Sequence, residues 1–281
     1  MAVLSWNRYG KSSIRLVKVR RARDAHDIID LTVDVKLEGA FETVYVDGDN
    51  APCLATDTMK NTVYAIAGSD PLEYPETFAL RLADHFAGKP AVASVHISIG
   101  EQRWDRLAAG GHPHPHAFVQ GGGEQWTAVV TRDRHGARIV SGLTGLVVLK
   151  TADSAFSGFP RDEFTTLADT EDRILATSIT ASWTCREGTA DFGARDRIRA
   201  ALLDTFATHK SRSVQHTLYA MGDAALAAAP DTTAITLALP NRHHLLVDLA
   251  PFGLDNPNEI FVATDQPYGV IEATITRSTL G

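Results

Sequence analysis

The 281-residue chain has very little cysteine. Cys53 and Cys185 are the only two, too few for a disulfide framework or a thiolate zinc site. A reduced intracellular compartment is the expectation. Long apolar runs are also missing. None approaches the roughly 20 residues that a membrane helix needs, and the longest, around Gly145–Leu149 and Ala224–Ala229, read as pieces of core elements. Nor is there an excess of positive charge: 27 Lys+Arg stand against 34 Asp+Glu, a formal charge of −7. A general nucleic-acid or anionic-membrane binder needs a basic field, so both classes are excluded. A small anionic ligand answers to local charge and is not. There is no GxSxG, Walker loop or HExxH, and Gly121–Gly123 lacks the strand–helix context of a dinucleotide fingerprint.

What is present is an ordinary globular balance, 44% hydrophobic and 22% charged, which excludes a disordered chain. A chain of this length hides roughly three quarters of its extended surface on folding, enough for one large or two mid-sized domains. Residues 1–23 hold five Arg and two Lys and no acid, a composition that mimics a transit peptide. Ser12–Val19 reads better as a strand than as a basic amphipathic helix, so the N-terminus is taken as mature protein.

Ile29, Leu31, Val33, Val35 and Leu37 alternate with polar residues, the period-two signature of a strand with one buried face. Val95, Ile97 and Ile99 repeat it, as do Leu175, Thr177, Ile179, Ala181 and Trp183, and further strands fit Ile235–Leu239, His243–Leu249 and Ile271–Ile275. Helical spacing joins Met59, Val63 and Ile66, then Phe78, Leu82 and Phe86 behind a first-turn Pro75. It returns at Ile198, Ala201, Leu202, Thr205 and Phe206, and at Val214, Leu218, Met221 and Ala225. The order is two strands, two helices, two strands, and then the same again. The halves meet near Arg134–Ala137, which gives units 1–136 and 137–281, with Gly121–Gly123 as a loop before the last strand of the first.

Several residues invite chemistry, and each has a plainer reading. His112, His114 and His116 alternate with Pro113 and Pro115. A metal is the obvious suggestion, but the prolines forbid a regular ladder and no acid or cysteine lies close by, so a rigid connector is favoured. Thr56-Asp57 opens a helix, where on local sequence capping is favoured over an anion site. Arg173 precedes the Leu175 strand and Gln215 opens the last helix. Each alone reads as a solvated residue, yet together they could clamp a planar ligand from two sides. His243 lies in phase with Leu245, Val247 and Leu249, as a core histidine would. Pattern alone therefore stops at a two-fold-repeated α+β protein with a candidate anion site.

Eight short strings, in order, resemble the urate oxidase (uricase) family from Arg8 to about Ser278. They are Arg8-Tyr9-Gly10-Lys11, Ala55-Thr56-Asp57-Thr58-Met59-Lys60-Asn61-Thr62, Pro113-His114-Pro115-His116, Gly142 through Lys150, Phe156-Ser157-Gly158-Phe159 with Arg161-Asp162-Glu163, Asp172-Arg173-Ile174-Leu175, Ser213-Val214-Gln215 and Leu239 through His243. The resemblance implies an α+β tandem of two T-fold (tunnelling-fold) units. Four chains would close a tunnel-shaped barrel, a homotetramer with active sites where subunits meet. The implied reaction is urate + O₂ + H₂O → 5-hydroxyisourate + H₂O₂, without metal or other cofactor.

By the same resemblance, Arg173 and Gln215 grip opposite edges of the purine and Phe156 stacks on it. Backbone N–H groups of Val214 and Asp57 complete the frame, and Thr56 and Asn241 hold dioxygen and then water. Lys11, Thr56 and His243 form a proton relay. These implications move Thr56-Asp57 from cap to site and His243 from core to relay. His244 stands where an aromatic residue is expected, and Ser157 and Pro160 are unusual in their segment. The ending Thr279-Leu280-Gly281 lacks a peroxisomal tripeptide, so a bacterial cytoplasmic protein is expected. Two rivals remain at this point. One is a zinc-dependent tunnelling-fold enzyme acting on a pterin or guanine nucleotide through His112, His114 and His116. The other is a purine-binding module without catalysis, against which the set Lys11, Thr56, Asn241 and His243 argues.

Overall fold

The computed structural model describes residues 2–186, 188 and 191–277. The terminal Thr279-Leu280-Gly281, which bears on targeting, lies outside the described residues. The chain divides into two compact units between Gly142 and Leu143. Among the described residues no helix is long and apolar enough to cross a membrane.

The first unit runs β1 (Tyr9–Arg21), β2 (His26–Gly39), α1 (Glu42–Val46), α2 (Thr56–Ser69), α3 (Pro75–Ala87), β3 (Val92–Ala109) and β4 (His112–Asp133). The strands pair antiparallel in the order β1-β2-β3-β4. The expected alternation in β2 holds: Ile29, Leu31, Val33, Val35 and Leu37 are all buried. They form one core with Val95, Ile97 and Ile99 of β3, Met59 and Val63 of α2, and Phe78, Leu82 and Phe86 of α3. Asp30 breaks the alternation, being buried, because Arg15 Nη2 (2.5 Å) and Trp104 Nε1 (3.1 Å) donate to its carboxylate.

The strands β3 and β4 run well beyond the spans the alternation suggests. Gly121–Gly123 is not a loop but part of β4, with Gly122 at φ +64°. The pairing steps from Gln102↔Gln125 to Trp104↔Gln120, so the extra β4 residues are held in a wide bulge. Gln102 Nε2 donates to the Gly122 carbonyl at 3.4 Å across it. The His-Pro run opens β4 beside a second irregularity, between Arg106 and Ala108. There Arg106 Nη1 donates to the carbonyls of His114 (3.0 Å) and Pro115 (2.8 Å), a substitute for the ladder that the prolines cannot make.

The second unit holds most of β5 (Gly136–Lys150), then β6 (Leu175–Cys185), α4 (Ala194–Thr208), α5 (Val214–Ala228), β7 (Thr232–Ala238), β8 (His243–Leu246), β9 (Phe261–Thr264) and β10 (Glu272–Thr276). The main sheet runs β5-β6-β7-β10. Leu175, Thr177, Ile179, Ala181 and Trp183 of β6 are buried, with Ile198, Leu202 and Phe206 of α4 and Leu218, Met221 and Ala225 of α5. The strand expected over His243–Leu249 is shorter and lies elsewhere. It ends at Leu246 and pairs with β9 in a separate two-stranded sheet. Its apolar residues misled the reading, since Leu245 and Leu246 stay about half exposed. Each unit thus keeps strand pair, helix pair, strand pair, with α1 added to the first and the β8–β9 hairpin to the second.

Candidate active site

In the first unit the site residues converge on the start of α2. Gly10 lets β1 press against β2, since a Cβ there would stand 1.9 Å from the Val35 carbonyl oxygen. Lys11 follows, opposite Val35, and the register then slips by one residue before Ile14. Ser13 takes up the extra residue at φ +57°, and its N–H donates to Asp34 Oδ1 at 2.6 Å. Bulges of this kind re-aim side chains, here that of Lys11. Tyr9 Oη accepts from the Leu54 N–H at 2.9 Å, which ties the segment entering α2 to the same strand. Burial, with Cys53 beside it, pushes the Tyr9 phenol far above its ordinary value, so it remains neutral.

Capping, the plainer explanation of Thr56-Asp57, does not describe this helix start. The N-cap is Ala55, which has no side chain to offer, and Thr56 and Asp57 are the first two helical residues. The first bond of α2 runs from Met59 N to Ala55 O at 3.2 Å, so the N–H groups of Thr56, Asp57 and Thr58 have no intrahelical acceptor. The Asp57 carboxylate turns along the helix instead, bonding Lys60 Nζ and, at 2.9 Å, Asn61 Nδ2. Lys60 chiefly, then Asn61 and Lys11, hold it below the ordinary aspartate value. The helix start therefore presents free backbone donors to solvent with Lys11 nearby, an arrangement suited to a small anion. At the other end of α2, Lys18 Nζ donates to the carbonyls of Ala67 (2.8 Å) and Asp70 (2.6 Å).

In the second unit the residues come from four separate stretches. Phe156 sits in the β5–β6 connection, where it exchanges backbone hydrogen bonds with Thr170 at 2.8 and 3.0 Å. The preceding turn is strapped to the approach of α5, because Ala155 N donates to Ser211 O at 2.8 Å and Ser211 N to Asp153 O at 2.9 Å. Arg173 holds its guanidinium carbon 5.2 Å from the centroid of the Phe156 ring. Burial pushes its pKa down, yet a guanidinium stays cationic. The start of α5 is capped by Ser213, whose Oγ accepts from His216 N at 3.1 Å. That leaves the N–H groups of Val214 and Gln215 without an intrahelical acceptor.

Asn241 is fixed between strands: it bridges Thr177 of β6, and its N–H donates to Gly269 O at 3.1 Å. Thr177, fully buried, donates its Oγ1 to Pro240 O at 2.9 Å. Asn241 Nδ2 and His243 Nδ1 stand 3.4 Å apart. His243 is half-buried on β8 rather than a core residue. His244, on the opposite face of that strand, lines with Leu246, Ile174 and Arg173 a cavity of about 410 Å³.

The structure thus brings together Lys11, Thr56 and Asp57 in one unit. In the other it pairs Phe156 with Arg173 and Asn241 with His243, and it puts Val214 and Gln215 at the start of a helix. Ser13, Asp34, Ser211 and Thr177 hold these residues in place, a role that the sequence did not suggest for any of them, Thr177 reading only as part of the β6 alternation. The adjacent serines after Lys11, in the middle of a strand pattern, were the available signal for the bulge. Among the described residues no group of three or more His, Cys, Asp or Glu is arranged to hold a metal. The His114 and His116 rings stand edge to face at 4.6 Å.

In each unit antiparallel strands follow the same strand–helix–strand order, the architecture of a tandem tunnelling-fold protein. The Uricase family profile matches residues 7–131 and 139–272. The chain belongs to the uricase family. It is 47% identical over 277 residues to a uricase of Arthrobacter globiformis, covering 98% of this chain and 90% of the relative. It is 36% identical to the uricase of Aspergillus flavus, covering 100% and 99%. A crystal structure of the Arthrobacter globiformis uricase superposes with a TM-score of 0.93 at 46% identity, over 99% of this chain and 96% of that one. A uricase structure from Bacillus fastidious shares the fold at 23% identity, with a TM-score of 0.84 over 96% and 93%.

Proposed function

We propose that this protein oxidises urate with O₂ and water to 5-hydroxyisourate and hydrogen peroxide, using no metal or organic cofactor. The observation that carries the reading is the Arg173 guanidinium lying 5.2 Å from the centroid of the half-buried Phe156 ring. A flat anion is served by such a pair, which offers an aromatic face and a charged fork at its edge. The names of the full-length relatives support the same substrate.

Arg173 then binds one edge of the purine, Gln215 the other, and Phe156 stacks beneath it. The N–H groups of Val214 and Asp57 donate to the remaining ring heteroatoms. Thr56 and Asn241 hold dioxygen, and later water, above the ring. Direct combination of a closed-shell purine with triplet O₂ is spin-forbidden. The cationic Arg173 edge stabilises the urate dianion, which passes one electron to O₂, and the radical pair combines and takes up one proton to give a hydroperoxide. Water gives up a proton through Lys11, Thr56 and His243, its oxygen bonds to the same carbon, and the peroxide leaves with that proton as hydrogen peroxide.

Residues 1–136 and 137–281 are proposed to be the two T-fold units, a division six residues before that of the compact units, and the working form is a homotetramer with sites between subunits. In their units β1 and β10 are edge strands, and strand edges of this kind call for partners. Exposed Val119, Val129, Val147 and Leu149 suit the same assembly. The proposed setting is the bacterial cytoplasm, in keeping with two free cysteines.

The test is a urate assay on chelator-treated, cofactor-free protein that follows urate absorbance, oxygen uptake and peroxide together. Equal molar amounts of all three are expected. Tight purine binding without turnover would instead indicate a binding module, and activity restored only by added zinc would indicate the metal-dependent rival.

A further inference from the structure

The segment after Phe156 builds a stack that the proposed chemistry leaves unused. Gly158 turns the chain at φ +73°, a conformation available to glycine at little cost. Phe159 is thereby folded back onto Phe156, with ring centroids 4.9 Å apart and planes only 11° from parallel. The Arg161 guanidinium carbon lies 5.1 Å from the Phe159 centroid. Arg173 likewise stands beside Phe156, so each ring has one guanidinium near it.

The stack is braced from outside. The Asp169 carboxylate accepts from the Gly158 N–H at 3.2 Å through one oxygen and meets Arg161 Nη2 at 3.2 Å through the other. Arg161 Nη1 also donates to Leu167 O at 3.3 Å. Phe159 is half-buried, and its neighbours Ser157, Gly158 and Pro160 are exposed, so the stack adds nothing to either hydrophobic core. Its effect falls on Phe156. A lone ring on a connecting loop turns about two side-chain torsions, and freezing them costs part of the binding energy of a flat ligand.

We infer that Phe159 and Arg161 are positioning residues, which hold the Phe156 ring plane in readiness for the purine. The inference rests on the urate-oxidising reading of this site and extends it to side chains that would not touch the substrate. It is tested with Phe159→Leu, which keeps apolar bulk but removes the flat face, and with Phe159→Tyr, which restores that face. The readouts are the Kd for azaxanthine, a flat azapurine, KM and kcat for urate, and thermal unfolding.

The Leu variant is expected to raise both Kd and KM about fivefold, with kcat within about twofold and the unfolding temperature unchanged. The Tyr variant should return both to near the wild-type values, and Arg161→Met should give a smaller rise of the same kind. A Leu variant that binds as the wild type does, or a Tyr variant as weak as the Leu, would overturn the inference while leaving the urate reading intact. Wild-type protein that neither oxidises urate nor binds azaxanthine would overturn that reading and the inference with it.

Discussion

Asp34 Oδ1 accepts the Ser13 N–H at 2.6 Å, across the point where β1 and β2 lose register. The bond satisfies a backbone donor that the bulge removes from the ladder, and it fixes the kink that aims Lys11. Asp34→Ala should therefore cost about 1 kcal/mol of stability and lower kcat for urate more than it changes azaxanthine affinity. Asp34→Asn, which keeps an acceptor oxygen, should recover most of both. Thermal unfolding and steady-state kinetics on the two variants check this, and equal losses for Ala and Asn would contradict it.

Substrate grip and proton transfer should separate in kinetics. Arg173→Ala removes a charged fork, so urate KM and azaxanthine Kd should both rise at least tenfold. Lys11→Met or Thr56→Ala should instead lower kcat about a hundredfold with little change in Kd. Lys11 and Thr56 variants that retain full turnover but bind poorly would remove both residues from the relay.

Gly10 has no room for a side chain, because a Cβ would meet the Val35 carbonyl oxygen at 1.9 Å. The Cβ is fixed directly to one ladder strand and the oxygen belongs to the other, so neither can swing aside. Gly10→Ala should destabilise the first unit by about 2–3 kcal/mol and displace Lys11 with the strand. Denaturant unfolding measures the first effect, and kcat at a temperature where the variant is folded measures the second.

Two histidines contribute to the acid side of the stability profile. Burial holds His85 below the ordinary imidazole value, and Lys89 adds to the effect. Burial lowers His209 likewise, with His216 and Lys150 beside it. Depressed folded values mean that the unfolded chain binds more protons in this range, so stability is complete above the unfolded value of about 6.5 and declines as pH falls below it. Unfolding temperatures measured from about pH 8 to pH 5 should fall toward acid. His209→Gln should flatten that slope, and an unchanged slope would place the titration elsewhere.

Much of the fold was legible because burial imposes period. The β2 and β6 alternations and the helix faces through Phe78, Leu82 and Phe86 are direct records of which side meets the core. The β8–β9 hairpin was not legible, because its apolar residues Leu245, Leu246 and Val262 stay exposed and enter neither core. Gly121–Gly123 read as a break, since the side-chain pattern lapses there while the backbone pairing resumes beyond it. Arg173 and Gln215 were visible only as two surface polar residues, for nothing in their neighbours says what they face. Family resemblance supplied their roles, and the structure adds how Ser211, Thr177 and Asp34 hold the segments around the site. Phe159 stood in the quoted Phe156-Ser157-Gly158-Phe159 string, but only the turn at Gly158 shows that the two rings meet.

Ala55 at the N-cap of α2 is a poor choice by the standards of helix design. A serine or aspartate there would gain about 1 kcal/mol. Any screen that rewards heat resistance alone would select such a replacement, and its side-chain oxygen would occupy donors that the proposed chemistry reserves for urate. Thermal tolerance and turnover compete at this one position, so a hardier version of the protein is better sought at helix ends remote from Thr56.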